Sequence, residues 1–247
     1  MSKERVVAIT QARMNSQRLP GKVLLEVASR PLLQHHLERV RRAETLDEVV
    51  VATTVNATDD PIVELCRELD VRCVRGPEVD VLGRYVLAAK ASAATTVVRV
   101  TSDCPMIDPG IIDLTVNGFL SAAPDVEYAS NRLVQTFPRG LDTEVLSAAL
   151  LTEVDREATQ GADREHVTLF VWRQPERFRL LNVPFGKDAS DHRWTVDTPE
   201  DFELIRRMIE ACEDEYGAYR LEDALGIADR HPKWREINEN VQQKTVI

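Results

Sequence analysis

The sequence has few cysteines and no long apolar run. The four cysteines, Cys66, Cys73, Cys104 and Cys212, are scattered and form no C-x-x-C pair, so their spacing argues against a zinc site and favours reduced thiols. No stretch approaches the roughly 18 consecutive apolar residues that span a bilayer, and the N-terminus lacks the apolar segment of a signal peptide. We therefore expect a cytoplasmic protein with no membrane partner.

An excess of positive charge is also missing. The 247 residues include 31 Lys and Arg against 41 Asp and Glu, which gives a formal net charge of -10. Proteins that bind duplex nucleic acid need a basic face, so this charge argues against a nucleic-acid partner. The length suits one large domain or two small ones, with a core that needs no disulfide or structural metal.

Three familiar nucleotide-binding motifs are absent. Gly21 and Lys22 resemble the end of a Walker A loop, but no glycine stands five residues before Gly21, and Val23 follows the lysine. No G-x-G-x-x-G fingerprint of a dinucleotide site occurs. The D-x-D motif that many glycosyltransferases use to hold a metal is missing as well. Any nucleotide site here must therefore use another kind of loop.

Short β-branched runs alternate with helical patterns, which predicts an α/β fold with a mostly parallel sheet. After about residue 125 the alternation loosens, but we find no linker or repeat. The predicted strands are residues 5–10, 48–53, 71–74, 96–101, 126–129, 178–185 and 192–196, with a loop between extended pieces at 139–144. The predicted helices are 31–42, 59–69, 79–91, one from 108, 147–157, 163–173, 198–212 and a helical tail from 220.

A basic loop, QARMNSQRLPGK, occupies residues 11–22 directly after the first predicted strand. In an open α/β sheet, ligands bind beyond the carboxyl ends of the strands, so this is the position of a binding loop. Arg13, Arg18 and Lys22 supply charges that suit a triphosphate. Ser16 can donate to phosphate oxygens, and Gly21 permits close backbone approach. A solvated basic turn would have the same composition, but the position favours anion binding.

Two aspartates stand where strands are predicted to end. Asp103 follows the strand at 96–101, and Asp197 follows the strand at 192–196. Either residue alone could be a turn residue or a helix cap. Together, two carboxylates at strand ends match the ligands that Mg²⁺ takes beside phosphate oxygens. The sequence therefore predicts a magnesium site, without showing that the two residues meet.

Five blocks follow one another along the chain: QAR (11–13), RVTSDCP (99–105), TFPRGLD (136–142), DREHVT (163–168) and RWTVD (193–197). In this order they resemble the cytidylyltransferase family, in particular the branch of the spore coat polysaccharide biosynthesis protein SpsF. This branch is related to CMP-sugar synthetases such as the 3-deoxy-manno-octulosonate cytidylyltransferases. The resemblance covers roughly residues 5–210 and implies one three-layer Rossmann-like domain of the nucleotide-diphospho-sugar transferase (GT-A-like) type over residues 1–247.

The resemblance implies an Mg²⁺-dependent enzyme that transfers CMP from CTP to a small acceptor and releases pyrophosphate. Lys22 and Arg18 would offset the charge of the departing pyrophosphate, while Asp103 and Asp197 would hold the metal. Residues of the first part of the chain, to about 125, would bind the nucleotide. They are Gln11, Ala12, Arg13, Ser16, Arg18, Gly21, Lys22, Thr53, Thr54, Arg75, Gly76, Arg84, Thr101 and Ser102.

The remaining part, about residues 126–247, is expected to bind the acceptor and to form a homodimer. Its arginines suggest an anionic acceptor such as a sugar acid, a phosphate or a phosphonate, although internal salt bridges would also explain them. A hydroxyl acceptor would need a general base, for which His166 and His192 are candidates; a phosphate or phosphonate oxygen would need none. The expected acceptor residues are Asn131, Arg139, Asp142, Glu144, Arg164, His166, His192 and Arg193.

Two other functions stay open on the sequence alone. A glycosyltransferase could use the same core to bind a nucleotide-sugar donor, and a regulatory module could bind a nucleotide without catalysis. The missing D-x-D motif argues against the first, and the joint presence of Lys22, Asp103 and Asp197 argues against the second. Release of pyrophosphate, rather than of a nucleoside diphosphate, would distinguish nucleotidyl transfer from glycosyl transfer.

Overall fold

A seven-stranded sheet organises residues 4–243, the part of the chain that this computed structural model describes. Two ranges lie outside the described residues, 1–3 and 244–247. The helical tail predicted from residue 220 ends in the second range. The strands are β1 (Val6–Gln11), β2 (Glu26–Val27), β3 (Arg30–Pro31), β4 (Glu48–Thr54), β5 (Arg72–Gly76), β6 (Thr96–Thr101), β7 (Tyr128–Ser130), β8 (Glu144–Ser147) and β9 (Leu180–Asn182).

The order of the large sheet is β5-β4-β1-β6-β8-β7-β9, and β2 pairs only with β3. The strands β5, β4, β1 and β6 are parallel, as are β7 and β9, whereas β8 is antiparallel to both of its neighbours. This confirms the predicted α/β fold with a mostly parallel sheet. Gln11 at the end of β1 is in register with Ala52 of β4 and Thr101 of β6, so the loops after these three strands share one edge.

Helices cover both faces of the sheet because the strands are apolar on both sides. Side chains of α1, α2 and α4 pack on one face, and those of α3 and α5 pack on the other. The helices are α1 (Leu32–Val40), α2 (Asp60–Glu68), α3 (Val81–Ala91), α4 (Pro109–Ala122), α5 (Ala148–Glu157), α6 (Gly161–His166), α7 (Leu169–Trp172), α8 (Pro199–Tyr216) and α9 (Leu221–Arg230), with 3-10 turns at Lys22–Leu24, Ala57–Asp59 and Pro232–Ile237.

A third apolar core fixes the segment that leads into α8. Trp194 and Val196 are buried against side chains of α8 and α9. Helix α8 begins with a capping box, in which Thr198 accepts from the backbone of Asp201 and the Asp201 carboxylate accepts from the backbone of Thr198. Asp197, one residue before this cap, is therefore held between a buried strand-like segment and a firm helix start.

Three predicted elements differ from the structure. Residues 192–196 form no regular strand and contribute only one isolated bridge, from Arg193 to Arg139. The helix predicted over 163–173 is two short helices, because Val167 adopts a positive φ of 58° between them. The predicted strand at 178–185 is regular only over Leu180–Asn182. Among the described residues, no helix is both long and apolar enough to cross a membrane.

Candidate active site

The basic loop after β1 is fixed by its own backbone and by Asp59. The Met14 carbonyl accepts from the backbone N–H groups of Ser16 and Gly21, at 3.0 and 2.9 Å, and Gly21 has a φ of 71° that favours glycine. The buried Asp59 carboxylate accepts from the Met14 backbone N–H at 2.8 Å and from the Thr54 hydroxyl. Asp59 therefore joins the basic loop to the end of β4, a role that the sequence did not indicate.

Lys22 lies between the two predicted metal ligands. Its Nζ atom donates to Asp103 Oδ2 at 3.0 Å, to Asp197 Oδ1 at 2.9 Å and to the Val196 carbonyl at 2.7 Å. The parallel pairing of β1 with β6 brings the loops that carry Lys22 and Asp103 together, and the Val196 N–H donates to the Asp103 carbonyl at 2.8 Å. The structure therefore brings these three predicted residues into one cluster.

The charges in this cluster stabilise one another. Burial alone would lower the pKa of Lys22, but Asp103 and Asp197 outweigh it, so that the pKa is raised. Burial would likewise raise the pKa of Asp103, but the Lys22 ammonium outweighs it and lowers the pKa to about 2. Lys22 is thus cationic and Asp103 anionic at neutral pH.

The other carboxylate oxygen of Asp197 faces two arginines. Arg18 Nη2 lies 2.8 Å from Asp197 Oδ2, and Arg193 Nη2 lies 2.9 Å from the same atom. Arg193 also forms a two-pronged contact with the buried Asp201 carboxylate, at 2.9 and 3.0 Å. Arg193 was predicted among the acceptor residues, whereas the structure places it as a partner of the proposed metal ligand Asp197.

The two aspartates suit a magnesium ion better than a metal that needs many protein ligands. Oxygens of Asp103 and Asp197 converge on one cationic atom, Lys22 Nζ, at 3.0 and 2.9 Å. Among residues 4–243, no group of three or more His, Cys, Asp or Glu side chains could hold a metal. Mg²⁺ is commonly bound by one or two carboxylates, with phosphate oxygens and water as its remaining ligands.

The residues predicted to bind the nucleotide at the ends of β4 and β5 lie near the basic loop, but their side chains are engaged within the protein. The Arg75 guanidinium donates to the Thr54 and Asn56 carbonyls at 2.8 and 2.7 Å, and it pairs with Asp60. The Thr53 hydroxyl is buried without a hydrogen-bond partner. A Cβ atom at Gly76 would lie 2.9 Å from a side-chain carbon of Arg84, so this glycine allows close packing.

Arg84 and Arg13 make the region beside Gln11 positive. Arg84 is fully buried, and its Nη2 atom donates to Gln11 Oε1 at 2.9 Å. Burial, followed by the charge of Arg13, lowers the pKa of Arg84. Two neighbouring guanidinium groups at a strand end favour an anion. Of the remaining predicted residues, Ala12 and Ser102 are buried, and Ser16 and Thr101 are partly exposed at the same sheet edge.

A buried carboxylate, Glu144, organises the second half of the predicted site. It is 1% exposed and accepts from the Tyr128 hydroxyl at 2.9 Å, the Thr168 hydroxyl at 3.1 Å, Arg132 Nη1 at 3.4 Å and Arg99 Nη1. Burial would raise the pKa of Glu144, but the arginine charges outweigh it and lower the pKa. Arg99 and Arg132 were absent from the predicted site, although Arg99 is a charged residue inside an otherwise apolar strand, which is a usable signal.

The structure gathers part of the predicted acceptor set around Glu144. Burial raises the pKa of Asp142, against the opposing charges of Arg132 and Arg139. Burial also lowers the pKa of His166, assisted by the charges of Arg99 and Arg132. Asp142 and His166 therefore both experience the charge of Arg132, which also acts on Glu144.

Other predicted acceptor residues lie elsewhere or serve the fold. Arg164 pairs with Asp80 and Asp155, at 2.8 and 2.7 Å, and so joins α6 to the start of α3. Arg164 therefore forms internal salt bridges, the alternative that the sequence left open for these arginines. His192 lines a separate cavity of about 330 Å³ beside α8 and α9. The buried Asn131 uses its amide to bind the Leu141 carbonyl at 2.9 Å and the Thr143 N–H at 2.8 Å.

A basic loop after the first strand, with paired carboxylates at the same sheet edge, defines a nucleotide-binding α/β site of the kind that transfers phosphoryl groups. The family model described as cytidylyltransferase matches residues 7–224. The chain belongs to the cytidylyltransferase family and is a nucleotidyltransferase. This confirms the family indicated by the sequence.

Curated relatives cover most of the chain. The spore coat polysaccharide biosynthesis protein SpsF of Bacillus subtilis is 35% identical over 210 residues, which are 82% of this chain and 85% of that protein. The 3-deoxy-manno-octulosonate cytidylyltransferase of Geobacter sulfurreducens is 30% identical over 242 residues, or 96% of this chain and 85% of the relative.

Solved structures agree in fold. A cytidylyltransferase from Leptospira borgpetersenii, 32% identical, superposes with a TM-score of 0.88 over 98% of this chain and 100% of its own. The CMP:2-keto-3-deoxy-manno-octonic acid synthetase complexed with CTP superposes with a TM-score of 0.66 at 16% identity, over 84% of this chain and 99% of its own. At that identity the second likeness supports the fold only.

Proposed function

We propose that this chain transfers CMP from CTP to a small anionic acceptor, with Mg²⁺ as cofactor and with release of pyrophosphate. The observation that carries the proposal is the position of Lys22 Nζ within 3.0 Å of both Asp103 and Asp197, at the end of a loop that also bears Arg13 and Arg18. A triphosphate and its metal need a cationic loop beside carboxylates, and this arrangement supplies both.

Lys22 and Arg18 are the residues that bind and orient the triphosphate. Both contact Asp197, so they can exchange this carboxylate for phosphate oxygens without losing a partner of opposite charge. Asp103 and Asp197 would then hold Mg²⁺, which, when bound, neutralises charge on the phosphates. Arg13, next to the buried Arg84, extends the same positive region toward Gln11.

The choice of CTP rests on the family and on the 30% identical relative that is named a cytidylyltransferase. The nucleotide would lie across the ends of β1 and β4, with Ala12, Thr53 and Thr54 near its base and ribose. Gly21, Gly76, Thr101 and Ser102 would line the approach from the neighbouring loops. In the reaction an acceptor oxygen forms a bond to the α-phosphorus, and the bond from that phosphorus to the bridging oxygen of pyrophosphate breaks.

The acceptor would lie on the Glu144 side of Asp103. A phosphate or phosphonate oxygen of the acceptor would carry no proton that must leave, whereas a hydroxyl would require a base. Burial lowers the pKa of both predicted histidines, so the choice between them rests on position, and the charges of Arg99 and Arg132 act on His166. His192 faces the separate cavity beside α8 and α9.

The two parts of the chain would divide the work. We propose that residues up to about 125 bind the nucleotide, and that about 126–247 bind the acceptor and form the interface of a cytoplasmic homodimer. The pairing of β6 in the first part with β8 in the second supports our proposal that both belong to one domain. Light scattering during gel filtration should give twice the 27.9 kDa chain mass, and a single-chain mass would contradict the dimer.

A pyrophosphate-release assay tests the proposed reaction. The protein would be incubated with CTP, Mg²⁺ and either 3-deoxy-manno-octulosonate or glycerol 3-phosphate, and the products identified by ³¹P NMR. We expect pyrophosphate and a CMP conjugate in equal amounts, both reduced in Asp103→Asn at limiting Mg²⁺ and retained in the exposed control Asp125→Asn. Appearance of cytidine diphosphate in place of pyrophosphate would contradict nucleotidyl transfer.

A further inference from the structure

The buried cluster around Glu144 contains more positive than negative charge. The single Glu144 carboxylate forms ion pairs with two guanidinium groups, those of Arg99 and Arg132. Glu144 is 1% exposed, so water screens this excess poorly. A bound anion would offset the excess positive charge of this buried cluster and so stabilise it.

Several hydrogen-bonding groups of the same cluster are unused. In the described part of the chain, Arg99 Nε is buried without a hydrogen-bond partner, and so is Asp142 Oδ1. Arg132 makes a single contact of 3.4 Å, from Nη1 to Glu144, and donates its other N–H groups to nothing within residues 4–243. Its side chain is 31% exposed, so a small molecule can reach it. A partly exposed arginine with unpaired N–H donors beside a buried carboxylate is a suitable binding site for a planar or tetrahedral anion.

The cluster continues to the metal ligands. Asp142 lies close enough to raise the pKa of Cys104, after the larger effects of burial and Asp103. Cys104 follows Asp103 directly, and its thiol contacts the Asp103 carboxylate at 3.5 Å. A molecule whose anionic end lies at Arg132 can thus extend toward the place where the α-phosphate is proposed to lie.

We infer that Arg132 binds the anionic group of the acceptor, and that Glu144 is the positioning residue that orients Arg132. This inference rests on the proposed function. The ligand chemistry is a carboxylate or a phosphonate on a small acceptor. Tyr128 and Thr168 donate to Glu144 and fix its carboxylate, so the orientation of Arg132 is set by groups that do not reach the ligand.

Calorimetry with simple anions tests this assignment. The protein would be saturated with Mg²⁺ and a non-reacting CTP analogue that has a methylene bridge between the α- and β-phosphorus, so that the triphosphate site is filled. Methylphosphonate and acetate would then be titrated separately. We expect saturable binding of one of them, with the tighter ligand identifying the anion class. Arg132→Gln should weaken this binding at least about tenfold, and Arg132→Lys by less, because a charge-assisted bond contributes about 1.5–3 kcal/mol.

Glu144→Gln separates a positioning role from simple electrostatics. Removal of one negative charge would by itself strengthen anion binding, whereas loss of the orientation of Arg132 would weaken it. We expect weaker binding, with unchanged affinity for the CTP analogue. Tighter anion binding in Glu144→Gln would contradict the positioning role. If this variant does not fold, the two Arg132 variants still test the binding role.

The control is Arg206→Gln, which alters an arginine on α8 that pairs with Glu203 and Glu210. It should bind the anion as the unaltered protein does. Equal anion binding in the Arg132→Gln variant, or no binding of either anion by the unaltered protein, would overturn the inference. Because the affinity for the CTP analogue is measured in the same series, failure of the nucleotide site would be seen separately as failure of the proposed function.

Discussion

The Nζ atom of Lys22 lies 3.0 Å from Oδ2 of Asp103, although 81 residues separate the two in the chain. The contact follows from the parallel pairing of β1 with β6, which places the loops after both strands at one sheet edge. The same ammonium also contacts Asp197, so one positive charge serves both of the carboxylates that would hold a metal. Four predictions follow from this arrangement and from the packing that supports it.

Removal of the Lys22 ammonium should impair turnover. In Lys22→Met the charge that offsets the departing pyrophosphate is lost, and we expect a fall in turnover on the order of 100-fold or more. The pKa of Asp103 should rise from about 2, because its main opposing charge is gone. The matched control is Lys90→Met at an exposed position in α3. Steady-state pyrophosphate release measures both variants, and unchanged turnover in Lys22→Met would refute the assigned role.

Neutral amides in place of the two aspartates should change the dependence on magnesium. We expect Asp103→Asn and Asp197→Asn each to raise the Mg²⁺ concentration needed for half-maximal turnover by on the order of tenfold or more, because a carboxylate ligand is lost. Activity would be followed across a magnesium titration at saturating CTP. The exposed Asp125→Asn should behave as the unaltered protein. If all three variants give one curve, neither aspartate holds the metal.

Gly140 should tolerate no side chain. Its φ is 108°, and a Cβ atom would lie 2.6 Å from the backbone carbonyl carbon and oxygen of Trp194. We expect Gly140→Ala to lower the free energy of unfolding by about 1–3 kcal/mol, and to reduce turnover by shifting the segment that ends in Asp197. Gly186→Ala is the control, because nothing lies within 4 Å of its Cβ position. Urea unfolding compares the two, and equal midpoints would contradict the predicted clash.

His36 should make the protein less stable in mild acid. It is fully buried, its Nδ1 atom lies 3.0 Å from the Cys104 carbonyl, and burial lowers its pKa to about 4. The unfolded chain takes up a proton near pH 6.5, whereas the folded protein does so only near pH 4. The stability present above pH 6.5 is therefore lost progressively as the pH falls to 4.

The size of this effect is at most about 3 kcal/mol, from the difference between the two pKa values. The measurement is the free energy of unfolding between pH 7 and pH 4 for the unaltered protein and for His36→Gln. The variant lacks the titrating group, so its free energy of unfolding should fall less between pH 7 and pH 4. Parallel curves for the two proteins would show that His36 does not titrate as the structure indicates.

Much of the fold could be predicted because its strands are continuous apolar runs that are buried on both faces. The position of β1 and β6 followed from these runs, and with it the expectation that the basic loop and Asp103 lie at a ligand-binding edge. The regular strand predicted at 192–196 was wrong, because its buried side chains, such as Trp194, pack on α8 and α9 rather than beside another strand. Apolar composition alone does not distinguish these two kinds of burial.

The side-chain partners of the site could not be predicted. Asp197 was expected to face a metal, but the sequence does not show that Arg193 joins it to the buried Asp201. Arg99 and Arg132 meet at Glu144 only because β8 runs antiparallel between β6 and β7, a pairing that depends on register rather than on local pattern. The sequence therefore predicts the loops that carry the site residues. It does not predict which side chains from distant segments meet there.

The most direct test of the central claim is calorimetric titration of the protein with CTP, UTP, ATP and GTP in the presence of Mg²⁺. The account predicts selective binding of CTP, which is weakened in Arg18→Ala and needs a higher Mg²⁺ concentration in Asp103→Asn. Equal binding of all four nucleotides, or binding of none, would contradict it.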